Sequence, residues 1–213
     1  MATAVDERRA RDDRHFDRWA ARYERSVMQP VLFDPVQRAV VGAVTARVPQ
    51  SAAVLDIGCG TGRLLDKFRG ALPDATLVGL DRSRGMAAAA RRLRPHLAIE
   101  QGTAEALPHP GRLFDAVLTT ISFHHWSDKA ASLTEVFRVL RPGGIFALTD
   151  LSVDDLPSWP DRLWALARRR MDDMPALEER ELMLTTAGFR VVDRVKTFHR
   201  HWITLTIAQR PAA

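Results

Sequence analysis

The stretch VLDIGCGTGRLL, Val54 to Leu65, decides the fold. It passes from a short apolar run into a loop with three glycines, then into an amphipathic helix. Glycines at such a turn let a ligand approach the backbone with no Cβ in the way. The N-terminus of the following helix favours an anionic group. A nucleotide-like ligand is therefore expected. The dinucleotide fingerprint G-x-G-x-x-G needs a glycine where this chain has Arg63, and the Gly-Lys-Ser/Thr triplet of a P-loop is absent. Both phosphate-binding readings are weakened, and a nicotinamide dehydrogenase is the least favoured enzyme.

Strands and helices alternate around that loop. Ala52 to Ile57, Thr76 to Asp81, Leu97 to Gly102, Phe114 to Thr120 and Ile145 to Asp150 read as buried parallel strands. Helices are expected over Thr61 to Arg69, Arg84 to Leu93 and Lys129 to Leu140, the last ended by the turn Pro142-Gly143-Gly144. Two helices precede the first strand. One is marked by Phe16, Trp19, Ala20 and Tyr23 at helical spacing between His15 and Met28. The other runs from Pro35 to Val48 with Asp34 as N-cap. A helix over Leu177 to Ala187 stops at Gly188, and RVVDRVKTF and HWITLTIAQ read as an antiparallel hairpin. The pattern predicts an α/β fold: a Rossmann-like doubly wound sheet, mostly parallel with a C-terminal antiparallel hairpin and helices on both faces.

The chain has 213 residues, 46% of them hydrophobic and 27% charged, which suits one globular domain. No apolar run approaches the roughly eighteen residues of a membrane span. The charged start MATAVDERRARDDR lacks the apolar core of a signal peptide, and the single cysteine, Cys59, fits a reducing compartment. A cytoplasmic protein is expected. The net charge of +5 raises a nucleic-acid partner. RRLR (Arg91 to Arg94) and RRR (Arg168 to Arg170) fall in expected helices, however, and acidic residues are spread nearly as widely, so a solvated surface is preferred.

LDIGCGTG resembles the first motif of the class I S-adenosylmethionine (SAM)-dependent methyltransferases. Asp81 to Ser83 resembles the family's second motif, and Gly102 to Val117 its adenine-side loop and fourth strand. SFHHWSD (Ser122 to Asp128) with EVFRVLRPGG (Glu135 to Gly144) is similar to the small-molecule branch that includes the ubiquinone and menaquinone enzymes. The likeness runs from Phe16 to Gly144 and resumes at Ala187 to Phe189. Four ordered motifs are far more specific than one glycine loop.

The resemblance implies a single methyltransferase domain with SAM as cofactor. Residues 1–12 are expected as a flexible tail, 13–48 as N-terminal helices, 52–150 as the SAM-binding core, 151–176 as a lid, and 177–213 as a helix and hairpin. It places Gly58, Cys59 and Gly60 against the ligand, Asp56 at the ammonium and Asp81 at both ribose hydroxyls. A helix N-cap is the alternative for Asp81, although Ser83 offers one. Arg82 and Met86 flank the adenine, with Met86 read equally well as core. Thr103 and Ala104 lie at the adenine edge, where many relatives carry aspartate in place of Thr103. Thr120 and Ile121 pass under the methionyl part. Tyr23 closes over the cofactor or packs in the core.

Methyl transfer is an in-line displacement at an activated sulfonium, so the protein chiefly aligns the reactants and excludes water. No metal is required, and a base only where the acceptor must lose a proton. After the fourth strand there is no Asn-Pro-Pro-Tyr-like run, no cysteine and no glutamate pair, which disfavours base, pyrimidine and guanidinium acceptors. His124 and His125 remain as candidate bases, or as packing beside SAM. Trp159, Trp164, Met171 and Met174, with Phe198 and Trp202, suit a small, partly apolar acceptor or simply bury the lid. An RNA or protein methyltransferase, and a SAM-binding regulatory protein with little catalysis, are the alternatives.

Overall fold

A computed structural model describes residues 14–20, 22–151, 175–197 and 203–212. Seven strands form one sheet: β1 (Ala53–Ile57), β2 (Thr76–Asp81), β3 (Ala98–Gln101), β4 (Phe114–Thr120), β5 (Leu140–Leu151), β6 (Arg190–Lys196) and β7 (Ile203–Gln209). Their order is β3-β2-β1-β4-β5-β7-β6. The pairs from β3 through β5 are parallel, and β7 runs antiparallel to both β5 and β6. The direction of winding reverses between β1 and β4. In an open α/β sheet, the crevice beyond the carboxyl ends of such strands is where ligands bind.

Side-chain alternation in the strands divides the core into two layers. Val54, Leu77, Ile99, Leu118 and Ala147 pack on one face with Val40 of α2 (Asp34–Thr45), Phe68 of α3 (Arg63–Ala71) and Ala87 of α4 (Arg84–Leu93). Leu55, Leu80, Val117, Phe146 and Leu148 pack on the other, with Leu133 and Val136 of α5 (Lys129–Val139) and Leu184 of α6 (Leu177–Thr186). Ser83 caps α4 by accepting from the Met86 amide at 3.1 Å, and Asp128 caps α5 through the Ala131 amide at 2.9 Å.

Several boundaries differ from expectation. The first helix, α1 (residues 14–20 and 22–23), stops at Tyr23 rather than Met28. A five-residue π-helical turn, Gln29–Phe33, then leads straight into α2. Asp34 is thus already helical and is not an N-cap; its carboxylate instead meets Arg63 and Lys67. The loop helix starts at Arg63, because Gly62 takes the cap position at φ 84°. β5 begins at Leu140, ahead of the expected Ile145, with a register shift opposite Phe114 and Ala116. Gly143 and Gly144 are strand-like there because Arg210 pairs with both backbones at 2.9 Å. Most of the expected lid, including Trp159, Trp164, Met171 and Met174, lies outside the described residues, as do Phe198 and Trp202.

Candidate functional site

The carboxyl ends of β2, β1, β4 and β5 carry Asp81, Asp56, Thr120 and Asp150, with Asp56 set two residues back from the level of Asp81 and Thr120. The glycine loop leaves β1 as an extension of the ladder, since the Gly58 and Cys59 amides both donate to the Leu80 carbonyl, at 2.8 and 3.1 Å. Gly58, Gly60 and Gly62 all have positive φ, at 75°, 56° and 84°, a conformation costly for other residues. A Cβ at Gly58 would lie 2.0 Å from Ser122 Oγ, so that glycine also makes room for the chain after β4. Among the described residues a Cβ at Gly60 would meet only Tyr23, at 3.9 Å. Cys59 is buried in the core behind the loop, and burial pushes its thiol up.

Asp56 is 2% exposed and accepts no hydrogen bond from any described residue. Desolvation, reinforced by the neighbouring Asp81, pushes its carboxyl up to about 8. Asp81 tethers the loop: Oδ2 accepts from the Gly60 amide at 2.7 Å, and Oδ1 accepts from the Ser83 amide at 2.8 Å. It is not a side-chain cap of α4, which is the task of Ser83. A carboxylate accepts up to about four hydrogen bonds, so these tethers are compatible with hydroxyl donors. Arg82 is half-buried beside it, and its carbonyl accepts from Gln101 at 3.3 Å. Ala104 is buried in the second core layer, with the half-buried Thr103 at its side.

Met86 packs beneath α1 with Ala20 and Ala89, next to Phe16, Trp19 and Tyr23. Tyr23 stacks edge-on against Trp19 at 4.8 Å, and desolvation pushes its phenol up to about 12. It therefore serves the aromatic cluster and borders Gly60 together. Two further α1 contacts had no local signal. Asp17 Oδ1 accepts from Ser83 Oγ at 2.6 Å and from the Gly85 amide at 2.7 Å. Glu24, just past the helix end, accepts from Thr61 Oγ1 at 2.5 Å and pairs with Arg63 at 2.9 Å and Arg94 at 3.0 Å. Arg63, the residue that breaks the dinucleotide fingerprint, is thus an anchor for the segment that covers the loop.

Beyond β4, Ile121 is held at φ 53°, an outlier for a β-branched residue, by its amide donating to the Thr149 carbonyl at 2.8 Å. Thr120 Oγ1 is buried with no hydrogen-bond partner among the described residues. The short helix Phe123–His125 brings His124 against Asp150. His124 Nδ1 lies 2.9 and 3.1 Å from the two carboxylate oxygens, and the His124 amide donates to Oδ2 at 3.0 Å. Burial alone would raise the Asp150 carboxyl, but His124 and Arg180 beside it hold it below the usual carboxylate range. The His125 ring lies tilted against His124 at 4.0 Å and meets Phe16 of α1 edge-on at 5.1 Å. The structure thus draws together the glycine loop, Asp56, Asp81, Tyr23, Ile121 and both histidines, and adds Asp150, which the sequence marked only as a strand end.

The residues present fit SAM. An isolated buried carboxylate calls for a cationic partner, and SAM offers an ammonium, whereas the pyrophosphate of a dinucleotide would face two aspartates. Residues 54–144 match the family described as the methyltransferase domain. A malonyl-[acyl-carrier protein] O-methyltransferase of Enterobacter lignolyticus is 34% identical over 140 residues, covering 65% of this chain and 55% of that protein. A demethylmenaquinone methyltransferase of Beutenbergia cavernae is 36% identical over 123 residues, covering 58% and 48%. The chain spans about half the length of these curated relatives. Among solved structures, a methyltransferase from a complex with the Haloferax volcanii Trm112 methyltransferase activator superposes with a TM-score of 0.74. It is 21% identical, covers 92% of this chain and 97% of that one, and thereby shows the shared fold.

Proposed function

We propose that this chain, which belongs to the class I SAM-dependent methyltransferases, transfers a methyl group to a small organic acceptor. The observation that carries the proposal is Asp56: a buried carboxylate at the mouth of a left-handed glycine loop, with no described donor, placed for an ammonium. When bound, SAM supplies an electrophilic methyl group on a sulfonium, so the chain has only to bind, orient and exclude water. In this reading Gly58, Cys59 and Gly60 give the backbone of the loop and Asp81 receives the ribose hydroxyls. Arg82 and Met86 flank the adenine, with Thr103 and Ala104 at its edge. Thr120 and Ile121 run beneath the methionyl part, and Tyr23 closes over Gly60.

The named acceptors of the relatives, a malonyl group and a demethylated menaquinone, support a small organic acceptor for this chain as well. A partly apolar acceptor, proton transfer by His124 or His125, a single domain built on 52–150 with a lid over 151–176, and a cytoplasmic location complete the proposal. Cys59 as the only cysteine supports the location. The test is incubation of purified protein with SAM and pooled phenols, hydroquinones, carboxylic acids, total RNA and protein lysate, read by mass spectrometry. A small molecule should gain one methylene mass. Methyl incorporation confined to RNA or protein would contradict the reading.

A further inference from the structure

We propose that the outer face of α1 and the turn after it dock this protein on an anionic lipid surface. Arg14, Arg18 and Arg22 recur every four residues along α1 and so share one face of the helix. Arg25 continues the row past the helix end, where its amide still donates to the Arg22 carbonyl at 3.1 Å. All four are exposed, and none has an ion pair or a side-chain hydrogen bond among the described residues. Phe16, Trp19, Ala20 and Tyr23 fall on the opposite face and pack inward with Met86 and Ala89. The acids of this segment are already engaged: Asp17 by Ser83 and Gly85, Glu24 by Thr61, Arg63 and Arg94. Residues 1–13 add acids and arginines in near balance. The outward charge of the row is therefore available to an anionic partner.

Directly after Arg25 the chain leaves apolar side chains in solvent: Val27 is 78% exposed, Met28 41% and Val31 61%. Single exposed apolar residues are ordinary, but these follow one another in a turn that Gln29 anchors, buried and donating to the Tyr23 carbonyl at 3.0 Å. Arginines beside exposed apolar side chains suit an interfacial contact, in which guanidinium groups meet lipid phosphates and the apolar side chains enter the acyl boundary. The contact is with a surface, since no described helix is long and apolar enough to cross a membrane. A single-stranded nucleic acid would call for exposed rings to stack on, and those of α1 face inward. On its inner face the same helix sets Tyr23 by Gly60 and Phe16 against His125. The arginine row thus lies one helix diameter, about 10 Å, from the site. Docking holds the crevice at the lipid, which suits the partly apolar acceptor proposed above; this last step alone rests on the methyltransferase reading.

The test is co-sedimentation of the full chain with vesicles, with calorimetric binding of S-adenosylhomocysteine by the same samples. At about 0.1 M salt the wild type should pellet with vesicles of equal phosphatidylcholine and phosphatidylglycerol, not with phosphatidylcholine alone, and about 1 M salt should weaken the contact. An arginine near an anionic surface strengthens binding roughly fivefold, so Arg18→Gln with Arg22→Gln should weaken it about 25-fold. Val27→Asn with Val31→Asn should weaken it about tenfold. Both pairs lie outside the site, so S-adenosylhomocysteine affinity should be unchanged in each. Equal binding to the two kinds of vesicle, binding to neither, or full vesicle affinity in either variant overturns the docking surface. Binding of poly(U) RNA or polyglutamate in place of the vesicles overturns the lipid partner. Failure of the wild type to bind S-adenosylhomocysteine overturns the methyltransferase reading instead, and is scored separately from the vesicles.

Discussion

Asp56 is where the chemistry of one side chain reaches furthest. Its folded pKa lies near 8, against an ordinary value of 3.8. A raised folded value means the native state keeps a proton that the unfolded chain releases. The contribution of Asp56 to stability is therefore full below about pH 4 and declines as pH rises to about 8, by up to about 1.4 kcal/mol per pH unit. Thermal unfolding of the ligand-free protein should show this slope, and Asp56→Asn should flatten it. An ammonium placed beside Asp56 should ionise it, so binding of S-adenosylhomocysteine at pH 7 should release up to one proton. Calorimetry in buffers of different ionisation enthalpy will detect that release, and identical apparent enthalpies would argue against the contact. Asp56, Gly58 and Gly60 were legible in the sequence because they stand within one strand–loop motif, and Asp81 because it ends the strand that follows. The His124–Asp150 pair was not, because its partners are 26 residues apart and meet only when β5 lies beside β4.

At the scale of elements, α1 is the piece that turns an open crevice into a covered one. It is held by Asp17 on the N-terminus of α4, by Glu24 on the loop and its arginines, and by an aromatic cluster over Met86. Gly85→Ala should dislodge it, since the added Cβ would sit 2.7 Å from the Asp17 Cα. Overpacking of this kind costs about 1–3 kcal/mol. The expected readout is faster hydrogen exchange over residues 14–23 and weaker S-adenosylhomocysteine binding, with α4 itself intact. Glu24 responds to acid: burial opposes it, but Thr61, Arg94 and Arg63 hold its carboxyl below 4.5. Its support is present above that value and is lost as pH falls below it, so α1 should exchange faster in acid. The type of the seven strands and of α1 to α6 was legible from apolar period, whereas the π-helical turn Gln29–Phe33 and the short helix Phe123–His125 were not. Boundaries slipped where long-range partners intervene, as when Arg210 draws Gly143 and Gly144 into β5, or when the π-helical turn makes Asp34 helical.

The whole molecule depends on a strand order that no local pattern encodes. The alternation of strands and helices announces a doubly wound sheet, but the place of β7 between β5 and β6 follows from burial on both its sides, with Ile203, Leu205 and Ile207 in one core layer and Thr204, Thr206 and Ala208 buried on the other. Removal of residues 203–213 should therefore leave β5 as an uncovered apolar edge and abolish soluble folded yield. A folded truncated protein with an intact circular dichroism spectrum would show that the parallel half is self-sufficient. The same architecture puts the glycine loop, two aspartates and the histidine turn at one edge, and that edge is the account's central claim. The most direct test is calorimetric titration of the purified chain with S-adenosylhomocysteine, with NADH in parallel and Asp81→Ala as the comparison. Saturable binding of S-adenosylhomocysteine, severely weakened in the folded variant, and no binding of NADH are the predicted results. Binding of NADH in its place, or equal S-adenosylhomocysteine affinity in Asp81→Ala, would contradict it.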